Sequence, residues 1–188
     1  MKKLWIGLLV IFLILVVIDQ IFLKDQILNF GDKKYEKIEN IEQLETGIDI
    51  ENLAHDFELQ TLDGKRIHLT DLKGKKVLLN FWASWCGPCE KEMPHMQKVY
   101  EKMKGENVEI LAVNVTSSEI NEKVVHDFVK KHGLTFPIPM DIKGEVSFLY
   151  EAVSIPTSFF LDTDGVIRHK KVGPMDEKYM IDQFERLP

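Results

Sequence analysis

The sequence predicts an α/β fold, a central mixed sheet with helices on both faces, and three observations predict it. Residues 75–83 (KKVLLNFWA) and 108–115 (VEILAVNV) are continuous apolar runs of strand length, the pattern of strands buried on both faces. The stretches after them carry helical apolar spacing: Met93, Met96, Val99, Tyr100 and Met103 in the first, and residues 119–132 in the second. Residues 157–161 and 166–172 flank Asp164–Gly165, a hairpin signal that turns the end of the sheet antiparallel.

The remaining elements are set by local chemistry. Residues 57–69 (FELQTLDGKRIHL) hold two short alternating runs around Asp63–Gly64, a second hairpin signal. Gly133 is the stop signal for the helix over 119–132. Residues 136–140 are short and apolar, 146–151 suit a brief helix, and a last helix is expected over about 176–184. Upstream, residues 24–51 are polar and rich in Lys, Glu and Asn. They are expected to be a linker, with Ile38, Ile41 and Leu44 permitting a short amphipathic helix.

The chain of 188 residues has room for one domain and extras. A net charge of −6 leaves no basic surplus to neutralise phosphates, so nucleic acid is not an expected partner. The amino terminus reads differently from the rest. Residues 4–18 (LWIGLLVIFLILVVI) carry no charge, and with Ile21, Phe22 and Leu23 the segment reaches about 20 residues, enough to span a bilayer. Lys2 and Lys3 precede it, and no small-residue cleavage site comes after it. Residues 1–23 are therefore expected to be an uncleaved transmembrane signal anchor, with a cleaved signal or a buried helix as alternatives. Lysines flank both ends, so charge alone leaves the orientation balanced. A single early apolar segment usually exports the chain downstream of it, which favours an extracytoplasmic domain over residues 52–188.

The chain has two cysteines, Cys86 and Cys89. A bridge between them closes almost no loop and constrains the unfolded chain little, so chemistry explains the pair better than stability does. Cys86 falls where a buried strand gives way to a helix, and the unpaired N–H groups there favour a thiolate. Cys89 is one turn on, within bridging reach. Cys86 is thus the expected attacker and Cys89 the residue that resolves the mixed disulfide. A zinc or copper site and an inert pair are the alternatives. Zinc needs about four ligands, and the six histidines offer no convincing spacing.

Residues 81–89 (FWASWCGPC) resemble the active-site signature of the thioredoxin superfamily. Residues 90–94 (EKEMP) and the lead-in hairpin resemble its membrane-anchored ResA/TlpA branch. The resemblance spans roughly 52–187 and implies a thioredoxin-like fold with an amino-terminal hairpin and an inserted helix–strand element. It implies that Ile155–Pro156 forms a cis-proline segment facing the cysteines and, with Trp85, meets the substrate; a trans proline at a strand start is the alternative. Asn80 stands where the superfamily usually carries a buried Asp. Glu92 matches a family glutamate near the cysteines and becomes a candidate base for Cys89 if burial raises its pKa, or else an ordinary surface residue.

The implied activity is protein-disulfide reduction without a cofactor. Apocytochrome c or a spore-envelope protein would be the substrate, and a CcdA-type membrane thiol–electron transporter the source of electrons. Gly87–Pro88 departs from the Glu-Pro often found in the branch, which leaves the substrate open. A thiol peroxidase is disfavoured because Leu79 and Ala83 replace the Pro and Thr such enzymes place before the reactive cysteine. A copper chaperone using the two thiols is the non-enzymatic alternative.

Overall fold

The computed structural model describes residues 16–20 and 34–188. The chain divides into two units, residues 1–34 and 35–188. In the first, residues 16–20 are helical. Most of the expected anchor lies outside the described residues, and among those described no helix is long and apolar enough to cross a membrane.

The second unit is built on a four-stranded sheet. Its strands are β5 (Lys76–Trp82), β6 (Val108–Asn114), β7 (Thr157–Leu161) and β8 (Ile167–Val172), in the order β6–β5–β7–β8. β5 runs parallel to β6 and antiparallel to β7, and β8 returns antiparallel beside β7, so the sheet is mixed as expected. The 75–83 run is apolar from Val77 to Ala83 but for Asn80 because β5 is central: every residue from Val77 to Trp82 is buried.

Alternation along β5 sorts its side chains between two cores. On one face Leu78 and Trp82 join Met93, Met96 and Val99 of α1 (Gly87–Met103), Val125 and Phe128 of α2 (Glu122–His132), and Met180 and Phe184 of α4 (Glu177–Arg186). On the other face Val77, Leu79 and Phe81 join Tyr150, Phe159 and Val146, the last from the short helix α3 (Glu145–Leu149). Each fully buried side chain of this size stabilises the fold by about 1.5–3 kcal/mol relative to exposure.

The lead-in hairpin forms from β3 (Glu58–Gln60) and β4 (Arg66–His68) around Gly64, whose φ of 85° suits glycine. The inserted element is α2 and then an extended segment along the outer edge of β6. There Ala112 and Asn114 donate to the carbonyls of Pro137 and Pro139. α2 starts later than expected, at Glu122. Asn121 caps it by accepting from the Val124 N–H at 3.3 Å, and Gly133 at φ 61° ends it.

Of the linker expected over 24–51, residues 24–33 lie outside the described residues, and the rest differs from the structure. From Tyr35 onward the chain belongs to the compact unit. The Tyr35 N–H donates to the Arg186 carbonyl at 2.9 Å, and the Arg186 guanidinium sits 5.0 Å from the Tyr35 ring centroid. Ile38, Ile41 and Leu44 make no amphipathic α-helix, only a 3-10 turn at Ile41–Gln43. Two short parallel strands come next, β1 (Thr46–Gly47) and β2 (Leu53–Ala54), with Glu51 bonded to Ile167.

Candidate active site

β5 delivers its chain to the carboxyl end of the sheet, where open α/β sheets place their sites. There Cys86 is the N-cap of α1, with φ −84° and ψ 104°, and its Sγ receives the Cys89 N–H at 3.2 Å. Pro88 occupies the first turn, where a missing N–H costs nothing. Cys86 and Cys89 are joined as a disulfide, with Cα atoms 5.2 Å apart. Cys86 is 4% exposed and Cys89 0%, so an incoming partner reaches Cys86 first.

The Ile155–Pro156 peptide is cis, and the Ile155 carbonyl oxygen lies 3.6 Å from Cys86 Sγ. Trp85 is 61% exposed; its indole N–H is shared between the carbonyl and hydroxyl oxygens of Ser118, each at 3.2 Å. The structure thus gathers Trp85, Cys86, Cys89, Ile155 and Pro156 at one end of the sheet.

Glu92 lies one turn beyond Cys89 on α1 and is fully buried, so it is not a surface residue. Its Oε2 accepts from Asn80 Nδ2 at 3.1 Å and its Oε1 from the Met175 N–H at 2.9 Å. Burial lifts its pKa from 4.5 to about 7, against the downward pull of those two hydrogen bonds. Asn80 Nδ2 also donates to Ser158 Oγ at 2.9 Å, tying β5, β7 and α1 together. Among the described residues Asn80 Oδ1 is buried without a partner, so the amide has an acceptor to spare beside a carboxyl whose pKa is pushed up to about 7.

Sequence reasoning misses Ser158, Met175 and Glu119. Ser158 and Met175 reach the Asn80–Glu92 pair from 78 and 83 residues away, and no local pattern marks them. The helical spacing places Glu119 inside a helix; it instead turns back onto the loop before Cys86, accepting from the Ser84 N–H at 2.6 Å. A signal for this is Asn121, an N-cap candidate equal in rank to Ser118 just before Glu119, so the sequence leaves the helix start open between them.

Comparison with known proteins agrees with this geometry. Residues 50–170 match the model of the AhpC/TSA family. Over 136 residues the chain is 48% identical to "Thioredoxin-like protein YneN" of Bacillus subtilis, covering 72% of this chain and 79% of that one. It is 41% identical over 134 residues to "Thiol-disulfide oxidoreductase ResA" of the same organism, covering 71% and 73%. The crystal structure of StoA from Bacillus subtilis superposes with a TM-score of 0.63 at 40% identity, covering 70% of this chain and 96% of that one.

Proposed function

The chain belongs to the AhpC/TSA family and is a thiol–disulfide oxidoreductase, and on that premise we propose that it reduces disulfides in extracytoplasmic proteins while anchored by residues 1–23. The observation that carries the exchange chemistry is the placement of Cys86. Its sulfur sits at a helix N-terminus, accepts the Cys89 N–H, and is the more accessible of the pair.

Two electrons and two protons first open the Cys86–Cys89 disulfide; a CcdA-type membrane thiol–electron transporter is the proposed donor. The Cys86 thiolate attacks one sulfur of the substrate disulfide, and the other substrate sulfur leaves as a thiolate that takes up a proton. Cys89 then loses its proton and attacks Cys86 Sγ, which releases the second substrate thiol and restores the enzyme disulfide. Glu92 is the proposed acceptor of the Cys89 proton, since it is buried one turn away with a pKa of about 7, near the operating pH where a general base works best. Trp85, Ile155 and Pro156 are the proposed substrate contacts around Cys86.

The reducing direction rests on Gly87–Pro88 and on the resemblance to the ResA/TlpA branch. The same resemblance supports apocytochrome c as the substrate, whose haem-attachment cysteines must be reduced. A peroxidase reading finds no support at Ala83, which offers no hydroxyl to activate a peroxide.

Trapping tests this reading. With Cys89→Ala, the attack on substrate goes forward and resolution stops, so substrates should accumulate as mixed disulfides on Cys86. Recovery of an apocytochrome c in that adduct supports the assignment. Adducts formed equally well by a Cys86→Ala variant through Cys89 would refute it.

A further inference from the structure

Glu119 stands outside both the disulfide and the buried Asn80–Glu92 pair, yet its carboxylate holds the loop that carries Cys86. Its Oε1 accepts from the Ser84 N–H at 2.6 Å and from the Asn114 side-chain amide at 2.9 Å; its Oε2 accepts from the Ser84 hydroxyl at 2.6 Å. Asn114 is itself fixed. It is fully buried at the end of β6, and its Oδ1 accepts from the Thr116 hydroxyl at 2.9 Å. The next loop residue, Trp85, is tied to Ser118 of the same turn. The end of β6 therefore grips both residues that precede the cysteine.

Satisfying a donor does not explain this arrangement. β5 ends at Trp82, and Ser84 in the loop beyond it is only half-buried, so its N–H and hydroxyl do not require an ionised acceptor to be satisfied. A carboxylate also works against the nucleophile. It brings negative charge within two residues of a sulfur that must be a thiolate, at a helix N-terminus that would favour that anion. The benefit that offsets this repulsion is placement, because charge-assisted hydrogen bonds fix geometry more strongly than neutral ones.

We propose that Glu119 is a positioning residue that, by bracketing Ser84 to Asn114, holds Cys86 in its N-cap geometry and presents the Trp85 indole beside it. The role rests on Cys86 being the attacking thiol. Glu119 acts through the loop and touches no reacting atom.

The test separates bracket from charge. In Glu119→Gln the side-chain oxygen still accepts from the Ser84 N–H and Asn114, and the new amide donates to the Ser84 hydroxyl, so the grip stays and the charge goes. In Glu119→Ala both go. The readouts are the pH dependence of Cys86 alkylation by iodoacetamide in the reduced full-length protein, and the rate at which dithiothreitol-recycled protein reduces insulin. Glu119→Gln should keep the wild-type rate and leave the Cys86 midpoint unchanged or lower. Glu119→Ala should raise the midpoint, as Sγ loses the Cys89 N–H, and slow reduction by on the order of 10- to 100-fold.

Equal downward shifts in both variants would mean that Glu119 acts only through charge, which overturns the proposal, as would a Glu119→Ala variant indistinguishable from wild type. If Glu119→Ala does not fold, Ser84→Ala removes only the Oε2 contact. It should raise the midpoint in the same sense, and no shift would overturn the bracket. Failure of the underlying reading shows separately: Cys86→Ser would then keep its activity with Glu119 intact.

Discussion

Asn80 and Glu92 meet in the protein interior: the Asn80 amide donates to Glu92 Oε2 at 3.1 Å, and neither side chain is exposed to solvent. An amide suits a partner that changes protonation state. It donates to the carboxylate through Nδ2, and its Oδ1, without a partner among the described residues, can accept from the protonated acid once the amide turns over. The pair thus tolerates both states of a group whose pKa is about 7.

Disulfide reduction should therefore rise with pH through about 7 as Glu92 becomes able to accept the Cys89 proton. Glu92→Gln keeps the shape and removes the acceptor. Its rate should drop by about 10²–10⁴-fold above neutral pH and lose the inflection, with solvent water limiting the loss. The check is the rate of substrate reduction against pH for both proteins, and superimposable profiles would remove Glu92 from the mechanism.

Stability should depend on pH in the opposite sense. Glu92 has a folded pKa above its unfolded value, so between 4.5 and about 7 the native state holds a proton that the unfolded chain has released. The stability linked to this group is full below 4.5, falls as pH rises through that window, and is level above it. The gap corresponds to a loss on the order of 3 kcal/mol. Urea unfolding of the disulfide-bonded protein across the window should show this decline in wild type and a flatter profile in Glu92→Gln. Parallel profiles would contradict it.

Residues 1–23 should remain on the mature protein, because no small-residue cleavage site comes after the apolar run. The protein should fractionate with membranes, and its intact amino terminus should be recovered by mass spectrometry. A soluble form beginning near Lys24 would contradict the anchor.

The parts of this molecule legible in the sequence are those set by short-range chemistry. The apolar runs of β5 and β6, the Asp63–Gly64 and Asp164–Gly165 turns and the Gly133 stop each carry their own signal, and each element forms within a few residues of its expected place. The cysteine pair is legible for the same reason, since its spacing at a strand-to-helix junction fixes both reach and environment. What escapes depends on contacts distant in sequence. Tyr35 joins the domain through Arg186 and Gln183 on the last helix and by packing against the core there, contacts distant in sequence, so residues 35–51 resemble a linker. The burial of Glu92 is created jointly by β5, α1 and the Met175 backbone, and a helical position with a turn's spacing from Cys89 does not reveal it. Glu119 is hidden by its neighbours: its sequence suits the first turn of a helix, and only the cap at Asn121 leaves it free to grip Ser84.

The central claim is that Cys86 attacks and Cys89 resolves. Its most direct test is the rate of alkylation of each thiol in the reduced protein at neutral pH, read by mass spectrometry of the separated peptides. Cys86 is the N-cap of α1 and the more accessible sulfur, while Cys89 is fully buried beneath it. Cys86 should therefore be modified much faster than Cys89, with a titration midpoint below the ordinary thiol value of about 8.5. Equal rates, or a faster Cys89, would contradict the account.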